Sequence, residues 1–264
     1  MDDLVGYDRP FVAEFYDSII PYRERSDVQF FVDMARQAGG PVLELGCGTG
    51  RVLVPTAQAG IEIVGLDASS SMLSACRARL AQEPTEVQSK VIDLINGDMR
   101  NFELGRKFNL VTIPFRPFQH LLTVEDQMSC LRNIRKHLVN GGRLILDVFN
   151  PSLPRLAKED AEQEHGEEPE FTTADGRKVV RRERIVSKDY FNQTTQNELI
   201  YYVTHPDGRE ERLVHEFRMR YLFKFEVEHL LARCNFSVEA LYADFDKSPY
   251  GSKYPGELIF VARI

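Results

Sequence analysis

The run Val42-Leu43-Glu44-Leu45 leading into Gly46-Cys47-Gly48-Thr49-Gly50 limits what this chain can fold into more than any other stretch. A short apolar run of this kind reads as a buried strand, and alternate glycines let the backbone turn sharply and approach a ligand closely. The pattern predicts a helix over about 51–59, whose N-terminal N–H groups favour negative groups. The strand predicted over 61–66 ends at Asp67, 21 residues after Gly46. A carboxylate placed there can accept hydrogen bonds from two ribose hydroxyls. Nucleotide-binding doubly wound folds share this arrangement, so by itself it does not choose the cofactor.

The alternation continues along the chain. A helix is expected over Ser69–Leu80, with Ser70 or Ser71 available as its cap. A third strand is expected over about 90–96, a fourth over Phe108–Ile113 and a helix over about 124–138. A turn is expected at Asn140-Gly141-Gly142, and a fifth strand over Arg143–Phe149. Strands alternating with helices imply a parallel sheet covered on both faces. This is the α/β core, residues 41–150, of what reads as one domain over 1–264.

Residues 1–40 read as a helical lid, with Phe11, Phe15, Tyr16, Phe30 and Phe31 at roughly helical spacing, ended by Gly39-Gly40-Pro41. Beyond 150 the pattern changes. Lys158–Glu170 is crowded with acids and predicts a mobile surface connection. From about 171 to 222 the period becomes two, with hairpin turns at Asp175-Gly176 and Asp207-Gly208. Residues 158–223 therefore read as an acidic connection followed by a small antiparallel insert. The segment 224–264 supplies a helix over about 224–234 and strands over 237–244 and 257–264 that return to the main sheet.

Three details separate the candidate cofactors. Arg51 stands where a dinucleotide fingerprint would have its last glycine. Glu44 would repel a pyrophosphate but suits a cationic amino-acid cofactor. Gly97-Asp98-Met99 offers a second carboxylate for an exocyclic adenine amine. These electrostatics favour S-adenosyl-L-methionine, whose product is S-adenosyl-L-homocysteine, over a nicotinamide dinucleotide. A nicotinamide-dependent oxidoreductase, or a non-catalytic S-adenosylmethionine-binding protein, is the alternative.

With 33 basic and 40 acidic residues the formal charge is −7, which argues against a nucleic-acid partner. No run is long and apolar enough to cross a membrane, and the N-terminus lacks the features of a secretory signal. The four cysteines are far apart, without metal-ligand spacing. The expectation is a cytoplasmic protein with free thiols, no disulfides and no metal.

Residues 41–150 resemble the core of the class I S-adenosylmethionine-dependent methyltransferases. The likeness rests on VLELGCGTGR (42–51), GLDASSSML (65–73), GDM (97–99) and LVNGGRLILDVFNP (138–151). It implies a Rossmann-like sheet of seven mostly parallel strands. It further implies Gly46 and Gly48 beside the methionine part of the cofactor and Asp67 on the ribose. Ala68 and Met72 would lie beside the adenine, Asp98 and Met99 on its amine and face, and Ile113-Pro114-Phe115 near the sulfonium and methyl. Tyr16-Asp17 and Tyr22 resemble the lid of glycine N-methyltransferase and of the amino-deoxysugar N-methyltransferases. The sugar enzymes also carry an insert after the fifth strand, and a Gly-His-Leu stretch where this chain has Gln119-His120-Leu121. Arg116 and Pro117 depart from the small residues those enzymes place there. IPFRPFQHL also differs from the Asp/Asn-Pro-Pro-Tyr motif of adenine and glutamine N-methyltransferases. The implied partner is a small-molecule acceptor, methylated on nitrogen or oxygen, with an amino sugar as one candidate.

Several residues carry two readings. Cys47 belongs to the cofactor loop as a small packed side chain, and no histidine stands near it in sequence to make it a nucleophile. His120 is either a general base or a residue that orients structure or substrate. Tyr16 and Tyr22 either close over the cofactor or pack the first helix. Asp147 and Asn150 are structural, near the acceptor pocket, or both. The basic run Arg177–Arg184 reads as a solvated hairpin face, and Phe217, Tyr221, Phe223 and Phe225 as core or dimer contact. A homodimer through the insert is the expected assembly.

Overall fold

A computed structural model describes residues 7–23, 25–158, 163–166 and 168–264. The first residues of the expected lid and part of the acidic connection lie outside these. The N-terminal segment forms α1 (Pro10–Tyr16), α2 (Ile20–Arg23) and α3 (Asp27–Ala38). The α/β core then runs β1 (Val42–Leu45), α4 (Leu53–Gln58), β2 (Ile63–Asp67), α5 (Ser70–Leu80), α6 (Thr85–Gln88), β3 (Val91–Asn96) and β4 (Phe108–Ile113). It continues through a 3-10 turn (Pro117–His120), α7 (Val124–His137) and β5 (Leu138–Phe149). After α8 (Leu153–Ala157) come β6 (Phe171–Thr172), β7 (Lys178–Asp189), β8 (Thr194–Thr204) and β9 (Glu210–Arg220). The chain ends with α9 (Lys224–Arg233), β10 (Ser237–Tyr242) and β11 (Glu257–Arg263).

The main sheet has the order β10-β11-β5-β4-β1-β2-β3. Its strands are parallel except β11, which lies antiparallel between β5 and β10. This is the seven-stranded, mostly parallel sheet implied by the likeness. Strand alternation divides its apolar residues between two cores. Leu43, Leu45, Val64, Leu66, Leu144 and Leu146 pack under α7 and α9. Val42, Ile63, Leu110 and Ile145 pack with α3 and α4 on the other face.

The second sheet, β6-β7-β8-β9, is antiparallel throughout and follows β5. Its packing partner is α1 and the turn after it: Phe15 and Ile19 share a third core with Val179, Leu199, Tyr201 and Val203. The opposite face of α1, through Val12 and Ala13, packs on Met72 of α5. The N-terminal helix thus bridges the insert and the α/β core. No helix among the described residues is long and apolar enough to cross a membrane.

Four local expectations need correction. The α5 cap is Ser69, whose Oγ accepts from Met72 N, while the Ser70 and Ser71 hydroxyls donate to Asp8. Asn140-Gly141-Gly142 is an irregularity inside β5: the register passes from Phe108↔Leu138 to Leu110↔Arg143, with Gly141 at φ +75° absorbing the extra residues. The acidic connection is pinned over its described part, since Glu164 accepts from Tyr202 and Arg212, and Glu168 from Arg181. The basic run is not a solvated face throughout. Period two points Arg181 inward with Val179, and only 4% of Arg181 is exposed.

Candidate active site

The ends of β1, β2 and β4, the N-terminal helices and the inner face of the insert enclose a cavity of about 580 Å³, within the range of sites that bury a whole cofactor. One part of it is built around Asp67. The Asp67 carboxylate accepts from Gly48 N at 2.8 Å and from Ser69 N at 2.8 Å. Burial raises its pKa, and these backbone donors work the other way. Two acceptor positions on the carboxylate remain. Gly46 must be glycine here: it has φ +71°, and a Cβ would lie 2.6 Å from Pro117 Cγ. Gly48, at φ +54°, would project a Cβ into open space, so backbone alone faces the cavity there.

Glu44 is fully buried beside this loop, its Oε2 lacks a hydrogen-bond partner, and burial pushes its pKa up to about 8. A buried carboxyl with an unsatisfied oxygen is suited to a cationic donor. Arg51, which follows the glycines, pairs in bidentate fashion with Asp27 at 2.7 Å and 2.7 Å. Ala68, Met72 and Met99 line the cavity near Asp67. Asp98 lines it too, but its carboxylate is chelated by the Arg100 guanidinium. Burial opposes ionisation of Asp98, yet the Arg100 hydrogen bonds hold its pKa below the usual carboxylate range. Cys47 is buried with its thiol pKa raised by that burial, and its Sγ sits against Gly65. The geometry is that of a packing side chain.

The turn after β4 is strained. Phe115 and Arg116 both take left-handed backbone, at φ +67° and +73°, a cost of order 1–3 kcal/mol each for non-glycine residues. Asp147 braces it by accepting from Phe115 N at 2.8 Å. Gln119 braces the next residues, accepting from Phe149 N and donating to Arg220 O. Pro114 and Phe115 line the cavity, and Tyr22 and Tyr16 pack on the Phe115 ring with centroids at 4.8 and 6.4 Å. Both tyrosines therefore face the cavity while packing the N-terminal segment.

His120 reaches the cavity from the 3-10 turn, between Tyr7 and Phe217. Its Nδ1 lies 3.0 Å from Arg218 O. A carbonyl only accepts, so Nδ1 carries the proton and Nε2 keeps its lone pair. Enclosure lowers the His120 pKa to about 4, against the Arg218 hydrogen bond, which raises it. The imidazole is therefore neutral at physiological pH.

Sequence reasoning did not single out the inner face of the insert, where Ile185, Thr195, Asn197, Leu199, Phe217 and Met219 line the cavity. Period two marked which residues share that face but not that the face closes over the glycine loop. Phe217 and Tyr221 line the cavity rather than a plain core or dimer contact, and Phe223 and Phe225 point outward. Asn150 also lines it. Tyr7, Arg25 and Phe149 were likewise missed.

Residues 42–142 match a family model described as a methyltransferase domain. The chain is 32% identical over 123 residues to the cypemycin N-terminal methyltransferase of a Streptomyces species, covering 47% of each chain. It is 29% identical over 144 residues to the dTDP-3-amino-3,6-dideoxy-alpha-D-glucopyranose N,N-dimethyltransferase of Streptomyces fradiae, covering 52% of this chain and 53% of that one. The match thus spans about half the length of these curated relatives. The solved CcbJ methyltransferase from Streptomyces caelestis superposes with a TM-score of 0.79 over 100% of this chain and 99% of that one. Its 24% identity makes this a likeness of fold. Residues 42–142 thus match a methyltransferase domain, and strand order and whole-chain superposition give the chain the fold of the solved CcbJ methyltransferase.

Proposed function

We propose that this chain transfers a methyl group from S-adenosyl-L-methionine to a nitrogen or oxygen of a small-molecule acceptor. One observation carries the reading: the cradle around Asp67 and the neutral His120 open onto the same cavity. The sulfonium of the bound cofactor supplies an activated methyl group. The two relatives named above are amine methyltransferases by name, which favours nitrogen and keeps an amino sugar among the candidate acceptors.

Within this reading the protein's groups divide the work. Glu44 receives the cofactor's ammonium, and Asp67 uses its two remaining acceptor positions on the ribose. Gly46 and Gly48 keep the methionine part close to backbone, with Cys47 packed behind them. Ala68, Met72 and Met99 flank the adenine, and Asp98 accepts from its amine while holding Arg100. Tyr16, Tyr22 and Pro114 close the methyl end and exclude water. His120 Nε2 accepts a hydrogen bond from the acceptor's N–H or O–H and so turns the acceptor's own lone pair toward the methyl carbon. As the new N–C or O–C bond formed, the S–C electron pair would leave on S-adenosylhomocysteine and the acceptor's proton would pass to water. Alignment of this kind supplies much of the rate gain when the donor is already reactive.

The free, buried thiols suit a reducing cytoplasm. A homodimer through the insert would use Tyr190 and Phe191, which are exposed at the β7–β8 turn; Phe191→Ser followed by a measurement of mass in solution tests this. The function is tested by titrating the protein with S-adenosylhomocysteine and NADH in a calorimeter, then screening amines and alcohols for label transfer from methyl-labelled cofactor. Tight NADH binding without S-adenosylhomocysteine binding would refute it.

A further inference from the structure

The acceptor half of the cavity has two properties that bear on what it admits. The first is that the charge of each of its cations already faces a carboxylate, with Arg116 Nε and Arg181 Nη1 left as buried donors without a hydrogen bond. Six arginines line the cavity, with no lysine among the described lining residues. Arg25 and Arg51 share Asp27, and Arg25 and Arg116 share Glu257. Arg155 pairs with Glu183, Arg181 with Glu168, and Arg184 with Glu198. Five carboxylates thus hold six guanidiniums, and Asp67, which takes backbone donors only, cancels the charge left over. A phosphate drawing Arg181 off Glu168 would leave that partly buried carboxylate without its guanidinium, which is unfavourable. The whole chain carries −7, so no long-range field draws a polyanion in.

The second property is apolar surface along the cavity and at its mouth. Ile185, Leu199, Phe217 and Met219 line the insert's inner wall. At the mouth Phe149 lies over the Arg116 guanidinium, 3.6 Å from Cζ to ring centroid, yet is 43% exposed. Leu153 is 57% exposed and Tyr254 60%; Tyr254 Oη accepts from Leu153 N and donates to the carbonyl of Pro151, which lines the cavity. Exposed apolar side chains next to a cavity offer surface that an apolar ligand can cover.

We propose that the acceptor is an amine borne on an uncharged, largely apolar framework, one that fills the wall of Leu199, Phe217 and Met219 and reaches the Phe149–Leu153–Tyr254 rim. It is not a nucleotide-linked sugar. This rests on the methyltransferase reading above and narrows its acceptor class.

The test uses the full chain saturated with S-adenosylhomocysteine, titrated with 4-phenylcyclohexylamine and with a thymidine-diphosphate-linked amino sugar. The apolar amine is expected to bind at least about tenfold more tightly. Its affinity is expected to change less than about twofold between about 50 and about 500 mM NaCl, since no phosphate contact is screened. Met219→Ser is expected to weaken it at least about fivefold and Met219→Leu to restore it, since burial of apolar area is what is lost and regained. Tighter binding of the nucleotide sugar, an unchanged affinity in Met219→Ser, or binding of neither amine to the loaded protein overturns the inference while the cofactor reading stands. Failure of wild-type protein to bind S-adenosylhomocysteine overturns the methyltransferase reading, and this inference with it.

Discussion

Asp67→Ala separates what the carboxylate does for the protein from what it does for a ligand. In the structure each oxygen takes one backbone donor at 2.8 Å, from Gly48 and from Ser69. A carboxylate offers about four acceptor positions, so two remain for the ribose hydroxyls. Hydrogen bonds to a charged acceptor contribute roughly 1.5–3 kcal/mol each, and a buried donor left unpaired costs about 1–3 kcal/mol. The substitution is therefore expected to lower folding stability by a few kcal/mol, read by denaturant unfolding, through the two orphaned N–H groups. Calorimetry is expected to show S-adenosylhomocysteine affinity falling at least about tenfold, or about 1.4 kcal/mol. A 2′,3′-dideoxy analogue of the same ligand isolates the ribose contribution. It should bind wild type weakly and lose little more in Asp67→Ala, because the interaction is already absent. Unchanged affinity for the natural ligand, or an equal further loss for the analogue, would refute the ribose assignment.

Other expectations follow from the same geometry. Glu44, with its pKa pushed up to about 8 by burial, holds a proton at pH 7 in the free protein and gives it up to face an ammonium. S-adenosylhomocysteine binding should then release protons, seen as an enthalpy that varies with the buffer's ionisation heat; a buffer-independent enthalpy at pH 7 would contradict this. Because the folded-state pKa is raised, Glu44 contributes stability that is lost as pH climbs from about 4.5 to about 8, at up to about 1.4 kcal/mol per pH unit, and Glu44→Gln should flatten that slope. Gly46→Ala combines left-handed strain with contact on Pro117 and should destabilise by about 2–5 kcal/mol. Gly48→Ala, with open space around its Cβ, should cost about 1–2 kcal/mol from backbone strain but weaken cofactor binding. Equal stability losses would show that the Pro117 contact is unimportant. His120→Ala should lower kcat by about a hundredfold or more and remove a limb near pH 4 from the pH–rate profile; the same limb in both proteins would end the role given to Nε2.

The α/β half of the molecule was legible because its signals are local. A buried parallel strand must be apolar almost throughout, as Val42–Leu45 and Phe108–Ile113 largely are. A positive φ at Gly46, Gly48 and Gly50 needs glycine, and the end of β2 fixes where Asp67 stands. Errors arose where neighbours distant in sequence compete for one group. Ser70 and Ser71 are sound caps by type, but Asp8 takes their hydroxyls. The acids around 158–170 read as solvated until Arg181 and Arg212 reach them from the insert.

The sequence alone determined the strand and helix order, the glycine loop with its acid one strand later, and the period-two insert. Each depends on contacts within a few residues or on one repeating face. Only the tertiary structure decided that α1 and the insert share a core, that the inner face of the insert lines the same cavity as the glycine loop, and that every lining arginine already has a carboxylate. Those outcomes depend on which of many compatible surfaces meet. That choice is made by packing between segments up to two hundred residues apart, as in the reach of Arg9 to Val214 O, and no periodicity encodes it.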